Sequence, residues 1–298
     1  MSQPVNPTAG SLPLMGERTE PRDHHGGMVE IRPASAWPKV DLAELWAYRS
    51  LFFFLVWRDI KSRYSQTVLG AGWAVVQPVL SMIIFTVIFG RFAKIPSDGV
   101  PYQVFSLTAL VPWTYFSTAL TASSNSLITH TALVTKVYFP RLVIPSAAVL
   151  GAMVDFIISF AVLLILMLSY GIVARPLAIL LVPVLVCLTT ITAIGMGCWL
   201  SALNIQFRDF RHITPFLVQV WMFGSPIVYP LSLVPEQYRL LYSMNPMAGA
   251  ISAFRSVLLG TTPIPWPELG VSFVGALVLL FTGALYFRRT ERIFADVA

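Results

Sequence analysis

Charge is scarce in this chain. Asp, Glu, Lys and Arg together make up 11% of its 298 residues, against roughly 25% in a soluble domain, which excludes an ordinary water-soluble globule. Cysteine is nearly absent. Cys187 and Cys198 share one apolar run. On a helix they stand about 16 Å apart, too far to bridge each other, so they carry no redox information. Phosphate and metal motifs are missing too. Without a GxxxxGK(S/T) loop the chain is not expected to hydrolyse ATP itself. No HExxH, CxxC or DxD is present, and the adjacent His24 and His25 lack helical ligand spacing, so no metal site is expected. Residues 1–36 also lack the apolar centre of a cleavable signal peptide.

What fills the chain instead is apolar, 56% of it, gathered in long runs. A helix needs about 20 mostly apolar residues to cross a bilayer, and it satisfies its own backbone groups there. The runs predict an all-α integral membrane protein with six spans, at about 68–89, 102–122, 142–170, 178–203, 214–229 and 269–287. The second is the weakest, since Ser, Thr and Pro112 interrupt it. Met247–Leu259 is apolar but short, contains Arg255 and lies in a proline-broken stretch; it predicts an external re-entrant or interfacial segment. Residues 1–36 read as a disordered cytosolic tail. Residues 37–66 read as an amphipathic interface helix and a basic hinge. Leu42, Leu45, Trp46, Phe53, Val56, Trp57 and Ile60 recur there near the helical period, with tryptophan at headgroup depth. The alternative, that this stretch begins the first span, is opposed by Arg58, Asp59, Lys61 and Arg63, because a charge at the bilayer centre costs about 2.5 kcal/mol or more. Residues 67–298 then form the transmembrane domain.

The net charge of +6 gathers at helix ends and makes no compact basic face, so nucleic acid is not an expected partner. With both termini in the cytoplasm, fifteen of twenty Lys and Arg lie inside, and Arg91, Lys94, Arg175, Arg239 and Arg255 lie outside. That is the asymmetry the positive-inside rule favours.

Asp155 is the only acid inside a clear span, with no cation in a span interior to pair with it. An intramembrane acid is a functional candidate. The structural alternative is a protonated or hydrogen-bonded carboxyl, with Ser159 one turn on, or a polar group on a neighbour, as its partner. Gln77, Gln219 and Asn204 read as helix-packing hydrogen bonds. The many aromatics, Trp73, Trp113, Trp199, Trp221, Phe223 and Tyr229 among them, fit interfacial belts. They also fit a channel on whose flat rings sugar units slide, and position alone leaves both open.

The stretch Trp57-Arg58-Asp59-Ile60-Lys61-Ser62-Arg63-Tyr64, then Thr67-Val68-Leu69-Gly70-Ala71-Gly72-Trp73 and Gln77-Pro78, resembles the opening segment of the permease subunits of polysaccharide ABC exporters, which serve O-antigen, capsule and teichoic acid. Further matches follow in order. Phe139-Pro140-Arg141 is similar to the end of the family's first long cytosolic loop. Asn204, Phe207-Arg208-Asp209 and His212 are similar to its second. Ser225-Pro226 with Tyr229-Pro230 resembles the end of the fifth helix, and Asn245-Pro246 with Phe254-Arg255 the external re-entrant segment. The match covers about 40–298, and the ordered set carries it.

The resemblance implies a homodimer of six-span subunits in the bacterial inner membrane. Each subunit docks on a separate ATPase chain that binds ATP and Mg. The pair exports a lipid-linked polysaccharide from the cytosolic side, and this chain has no cofactor and no catalysis of its own. It implies ATPase-coupling loops at Lys136, Phe139, Arg141, Phe207, Arg208, Asp209 and Arg211, with Phe207 as an apolar anchor; headgroup anchoring is the plainer reading of the charges. Arg58, Lys61 and Arg63 are candidates to hold a pyrophosphate headgroup through charge-assisted bonds, with positive-inside anchoring equally open. Channel walls are expected on the first and fifth spans, from Trp73, Gln77, Trp221 and Tyr229. Rival readings are a drug or small-lipid exporter, a proton-coupled flippase using Asp155, and a membrane acyltransferase or sugar transferase. The last needs a clustered acid–base or metal set at one membrane face, which the sequence does not supply.

Overall fold

In the computed structural model every regular element is helical, with no strand among the described residues, which are 46–65, 70–131, 133, 139–207, 209–291 and 294, with the backbone alone at Ala71 and Ile179. The tail 1–36, Lys136 and Arg208 lie outside them. The helices, numbered in chain order, are α1 (Arg49–Tyr64), α2 (Trp73–Phe85), α3 (Tyr102–Thr129), α4 (Val143–Gly151), α5 (Met153–Ser169), α6 (Ala178–Gln206), α7 (Phe210–Phe223), α8 (Glu236–Tyr242), α9 (Pro246–Leu259) and α10 (Trp266–Thr290).

α3 is the axis of the bundle. Nineteen of its 28 residues are buried, with α2, α4, α5, α6 and α9 packed around it. Protein rather than lipid surrounds it, which is why its sequence looks like a poor span. Ser106, Thr108, Ser123, Ser124 and Ser126 are buried along it. Most of these hydroxyls bond back to their own helix, as Thr108 Oγ1 does to the Val104 carbonyl at 2.7 Å. The helix runs on to Thr129 rather than ending near Ala122.

Four helical segments are long and apolar enough to cross a membrane among the described residues: Trp73–Phe92, Val143–Ser169, Leu180–Gln206 and Trp266–Thr290. The first is nearly bare. Only Pro78 and Met82 of α2 are buried, while Leu80, Ile83 and Ile84 face outward. Past Phe85 this helix widens over Thr86–Phe92, where the Ala93 N–H reaches back to the Ile88 carbonyl at 2.9 Å. The second segment, expected as one rod, is interrupted at Ala152 and divides into α4 and α5.

α6 and α10 lie so close that side chains are excluded where they cross. A Cβ on Gly195 would stand 2.5 Å from the Leu280 nitrogen, and one on Gly283 would run into the Gly195 carbonyl. Small residues at helix crossings are what let backbones approach in a membrane. Trp199 stacks on Tyr286 beside this crossing, with ring centroids 4.3 Å apart.

α7 has 14 residues and stops at Phe223. The expected span to 229 is cut short because Pro226 cannot extend a helix. α9 is also 14 residues, about 21 Å long, and every one of them is buried. Asn245 caps it, Pro246 sets its first turn, and Gly260 ends it in the left-handed region at φ 72°. A second core, formed by Leu55, Leu127, Phe139, Ile144, Phe287 and Phe294 among others, closes the end of the bundle where α1 docks.

Candidate functional site

α1 rests on α4 and buries a single side chain, Leu55. Its aromatic face is bare: Trp46, Phe53 and Trp57 are 71, 68 and 67% exposed. So little apolar burial cannot fix the helix in place, and polar contacts take over at its C-terminal end. Arg58 donates to Asp59 Oδ1 at 3.1 Å and also to Nε2 of His130, at the end of α3. His130 Nδ1 lies 2.8 Å from the Ser126 carbonyl. Burial pushes the Asp59 carboxyl up, but the neighbouring His130, 3.6 Å away, and Arg58 outweigh it and hold the group below its ordinary value.

One turn on, Arg63 and Tyr64 both close on Asp155 in the first turn of α5. Arg63 Nη1 pairs with Oδ2, and the Tyr64 hydroxyl donates to Oδ1 at 2.5 Å. Burial, then the hydrogen bond to Asp155, pushes the Tyr64 phenol up to about 12. The expected Asp155–Ser159 bond is therefore corrected: Ser159 donates instead to the Ala74 carbonyl of α2 at 2.7 Å. The carboxyl finds its cation on α1, which the span-by-span reading placed in a different layer.

Between these two ion clusters and the bundle opens a cleft of about 780 Å³. Arg58, Asp59 and Arg63 of α1 line it. Gln77 of α2 stands on one side, and Pro215 and Val218 of α7 on another. Its inner wall is a polar stripe of α3, with Ser117, Thr121, Asn125 and Thr129 at helical spacing. A smaller cleft of about 310 Å³ adjoins it and shares Arg63, Gln77 and Thr118; Trp73, Tyr115 and Asp155 line it as well. Guanidinium groups beside hydroxyl and amide walls suit a ligand with a negative head and a polar body. No group of three or more His, Cys, Asp or Glu able to hold a metal occurs among the described residues.

At the other end of α3 the residues from three separate motifs converge. Arg255 of α9 is 5% exposed. Its guanidinium donates to the carbonyls of Pro226 at 2.6 Å, Ile227 at 2.5 Å, Tyr229 at 3.0 Å and Phe105 at 3.4 Å, and it lies 3.6 Å from the centre of the Phe105 ring. Asn245 accepts from the Met247 N–H at 3.0 Å and the Trp221 indole at 2.7 Å, and donates to the Gly224 carbonyl and Ser225 Oγ, each at 2.9 Å. The turn after α7 is thus held at both ends by α9 and its cap.

Residues 50–259 match the family model described as ABC-2 type transporter. The chain belongs to that family. The transporter is 29% identical over 257 residues to the O-antigen export system permease protein RfbA of Myxococcus xanthus, covering 85% of this chain and 97% of the relative. It is 26% identical to the polysialic acid transport protein KpsM of Escherichia coli, covering 78% and 91%. It is 22% identical to the capsule polysaccharide export inner-membrane protein CtrC of Neisseria meningitidis, covering 80% and 90%. The resemblance read from the ordered motifs is borne out, and with its apolar helices the transporter is an integral membrane protein.

Of the residues singled out beforehand, the structure gathers some and separates others. Phe207, Asp209 and Arg211 are exposed together where α6 turns into α7, and Arg208 between them lies outside the described residues, as does Lys136. Phe139 is 4% exposed and belongs to the core, so it anchors the loop's end instead of offering a docking surface. Arg141 is tied to the C-terminal segment, its N–H donating to Glu291 Oε1 at 3.1 Å and its Nη1 to the Glu291 carbonyl at 2.5 Å. Arg58 and Arg63 are engaged in ion pairs, whereas Lys61 is exposed. The four channel candidates do not form one wall in the single chain. Trp73 and Gln77 stand at the α1 end. Trp221 is pinned by Asn245 and packs edge-on to Phe116, and the Tyr229 hydroxyl pairs with that of Tyr242 at 2.9 Å.

Sequence reasoning missed His130 as the joint between α1 and α3, since a lone histidine beyond an apolar run carries no pattern. It also counted Arg255 only by its side of the membrane and did not foresee that the residue is buried. The signal was present: one arginine inside a short apolar run that opens on Asn-Pro.

Proposed function

We propose that the chain is the membrane subunit of an ATP-driven exporter that moves a lipid-linked polysaccharide out of the cytosol across a bacterial inner membrane. It is itself non-catalytic, works as a homodimer, and is driven by a separate ATPase chain that binds ATP and Mg. The observation that carries this reading is the cleft behind α1: an aromatic helix with a bare apolar face, basic groups lining the cleft from that helix, and a wall of hydroxyls and an amide. A lipid-linked glycan has those three chemistries in that order. Its acyl chain would lie along Trp46, Phe53 and Trp57 in the membrane interface. Its pyrophosphate would meet Lys61 and the outer protons of Arg58 and Arg63. Its first sugars would face Ser117, Thr121 and Asn125. The names of the relatives, which speak of O-antigen, polysialic acid and capsule export, point to the same class of cargo.

In this reading α3 and α7 complete six spans, with both termini cytosolic and α8 and α9 re-entrant from outside. The exposed turn at Phe207, Asp209 and Arg211 meets the ATPase. Closure of the ATPase pair on ATP pushes on that turn, and α7 carries the movement towards Trp221 and the dimer axis, where α2 and α7 line the channel. Lys61→Glu is expected to raise the apparent KM for a pyrophosphate-linked glycan at least tenfold in vesicles holding both subunits, with basal ATP turnover unchanged. Transport by the lone chain under a proton gradient would overturn the proposal. ATP-driven movement of short lipids or drugs in preference to glycan would replace the cargo.

A further inference from the structure

We infer that the end of the molecule opposite α1 carries a binding site for a neutral sugar residue, built from Ser252, Arg255, Asp98 and Glu268. The inference rests on the export reading above, since it assigns the site to the glycan as it leaves. The site is a cavity of about 370 Å³, within the range of small-ligand pockets. It forms where α9, the α2–α3 hairpin and the loop into α10 meet.

Four observations define its chemistry. Ser252 lines the cavity at 6% residue exposure, and its buried Oγ has no hydrogen-bond partner among the described residues, a cost native proteins seldom leave standing without a ligand or water to complete it. Arg255 has five N–H protons, and its four carbonyl bonds leave one on Nη2. Glu268, in the first turn of α10, has no hydrogen bond or ion pair among the described residues, and Asp98 accepts only from Ser232 Oγ, at 3.2 Å. The walls are stiff: Pro230, Pro263, Pro265 and Pro267 offer rings of C–H surface.

The charges decide the class of ligand. Arg239, Arg255, Asp98 and Glu268 all line the cavity, so an anion meets two carboxylates and a cation meets two guanidinium groups. A sugar needs both kinds of partner. Its hydroxyls donate to Glu268 and Asp98 and accept from Arg255 and Ser252, while its C–H face lies on proline. Bonds to charged groups are the strong ones, yet there are few of them, so the site holds a passing residue without trapping the chain.

The test uses the full-length chain in lipid nanodiscs and saturation-transfer NMR. The probe is oligosaccharide released by mild acid from the surface polysaccharide of the cells that encode the chain. Wild type is expected to give a saturable signal. Glu268→Gln and Ser252→Ala should each weaken it at least tenfold with the thermal melt preserved, and Val173→Ala, at an exposed position elsewhere, should not. No signal from wild type, equal affinity in both variants, or displacement of the sugar by inorganic phosphate overturns the site. ATP-driven glycan export without such binding sinks this site alone. Binding without export by the complex leaves the site standing and sinks the export reading.

Discussion

Arg255 and Asp59 show two ways in which one charge organises many neighbours. Arg255 gathers backbone carbonyls from a turn that has no regular structure of its own. Lysine has three donors on a flexible stem and cannot span that arc. Arg255→Lys should therefore leave buried carbonyls unmet and lower stability by about 3 kcal/mol, read as a fall in the melting temperature of the detergent-solubilised protein. Asp59 works by its charge between Arg58 and His130. Its folded-state carboxyl lies below the ordinary 3.8, so the stability it gives is present above that pH and lost as pH falls through the folded value. Asp59→Asn should melt lower than wild type at neutral pH, by about 1 kcal/mol, and the two curves should meet once both are taken well below pH 3.8.

At the level of elements, α1 and the α6–α10 crossing are held by opposite means. The crossing depends on missing side chains. Gly283→Ala pushes a methyl into the Gly195 carbonyl, where backbone rather than a flexible tip must move; overpacking of this kind costs about 1–3 kcal/mol, which a thermal melt will register. α1 depends on polar groups. Arg63→Gln and Asp155→Asn should each loosen it, and the double variant should be no worse than the poorer single one, because both remove one interaction; a spin-label distance between α1 and α5 reads this directly. Helix positions were legible in the sequence wherever lipid faces them, as on α2 and α10, because there hydropathy reports the surroundings. Legibility failed where protein is the solvent. α3 looked weak because its hydroxyls are sheltered, and α4–α5 looked continuous because a break at Ala152 leaves no proline behind. The Arg63–Asp155 pair was hidden for another reason: residues 92 positions apart meet only after the bundle closes.

For the whole molecule the proposal divides labour between two ends, one that admits and one that releases, with α3 as the fixed axis between them. Phe207→Ala at the exposed turn removes an apolar anchor and should weaken docking of the ATPase about tenfold, measured by co-purification and titration, with the permease itself still folded. The motif order was readable along the chain because each piece sits at a helix end. The convergence of Pro226 and Tyr229 on Arg255, and of Ser225 on Asn245, was not, since it needs three dimensions. The sheltering of α3 also bears on how the protein is made. This helix leaves the ribosome before α4, α5, α6 and α9 exist to wrap it, and a translocon sorts segments on their own hydrophobicity. Arrested chains that end soon after α3 should show mixed insertion in a glycosylation-tag assay, and uniform insertion once α6 has been synthesised. The most central helix of the finished protein then commits to the bilayer only after helices that follow it in the chain.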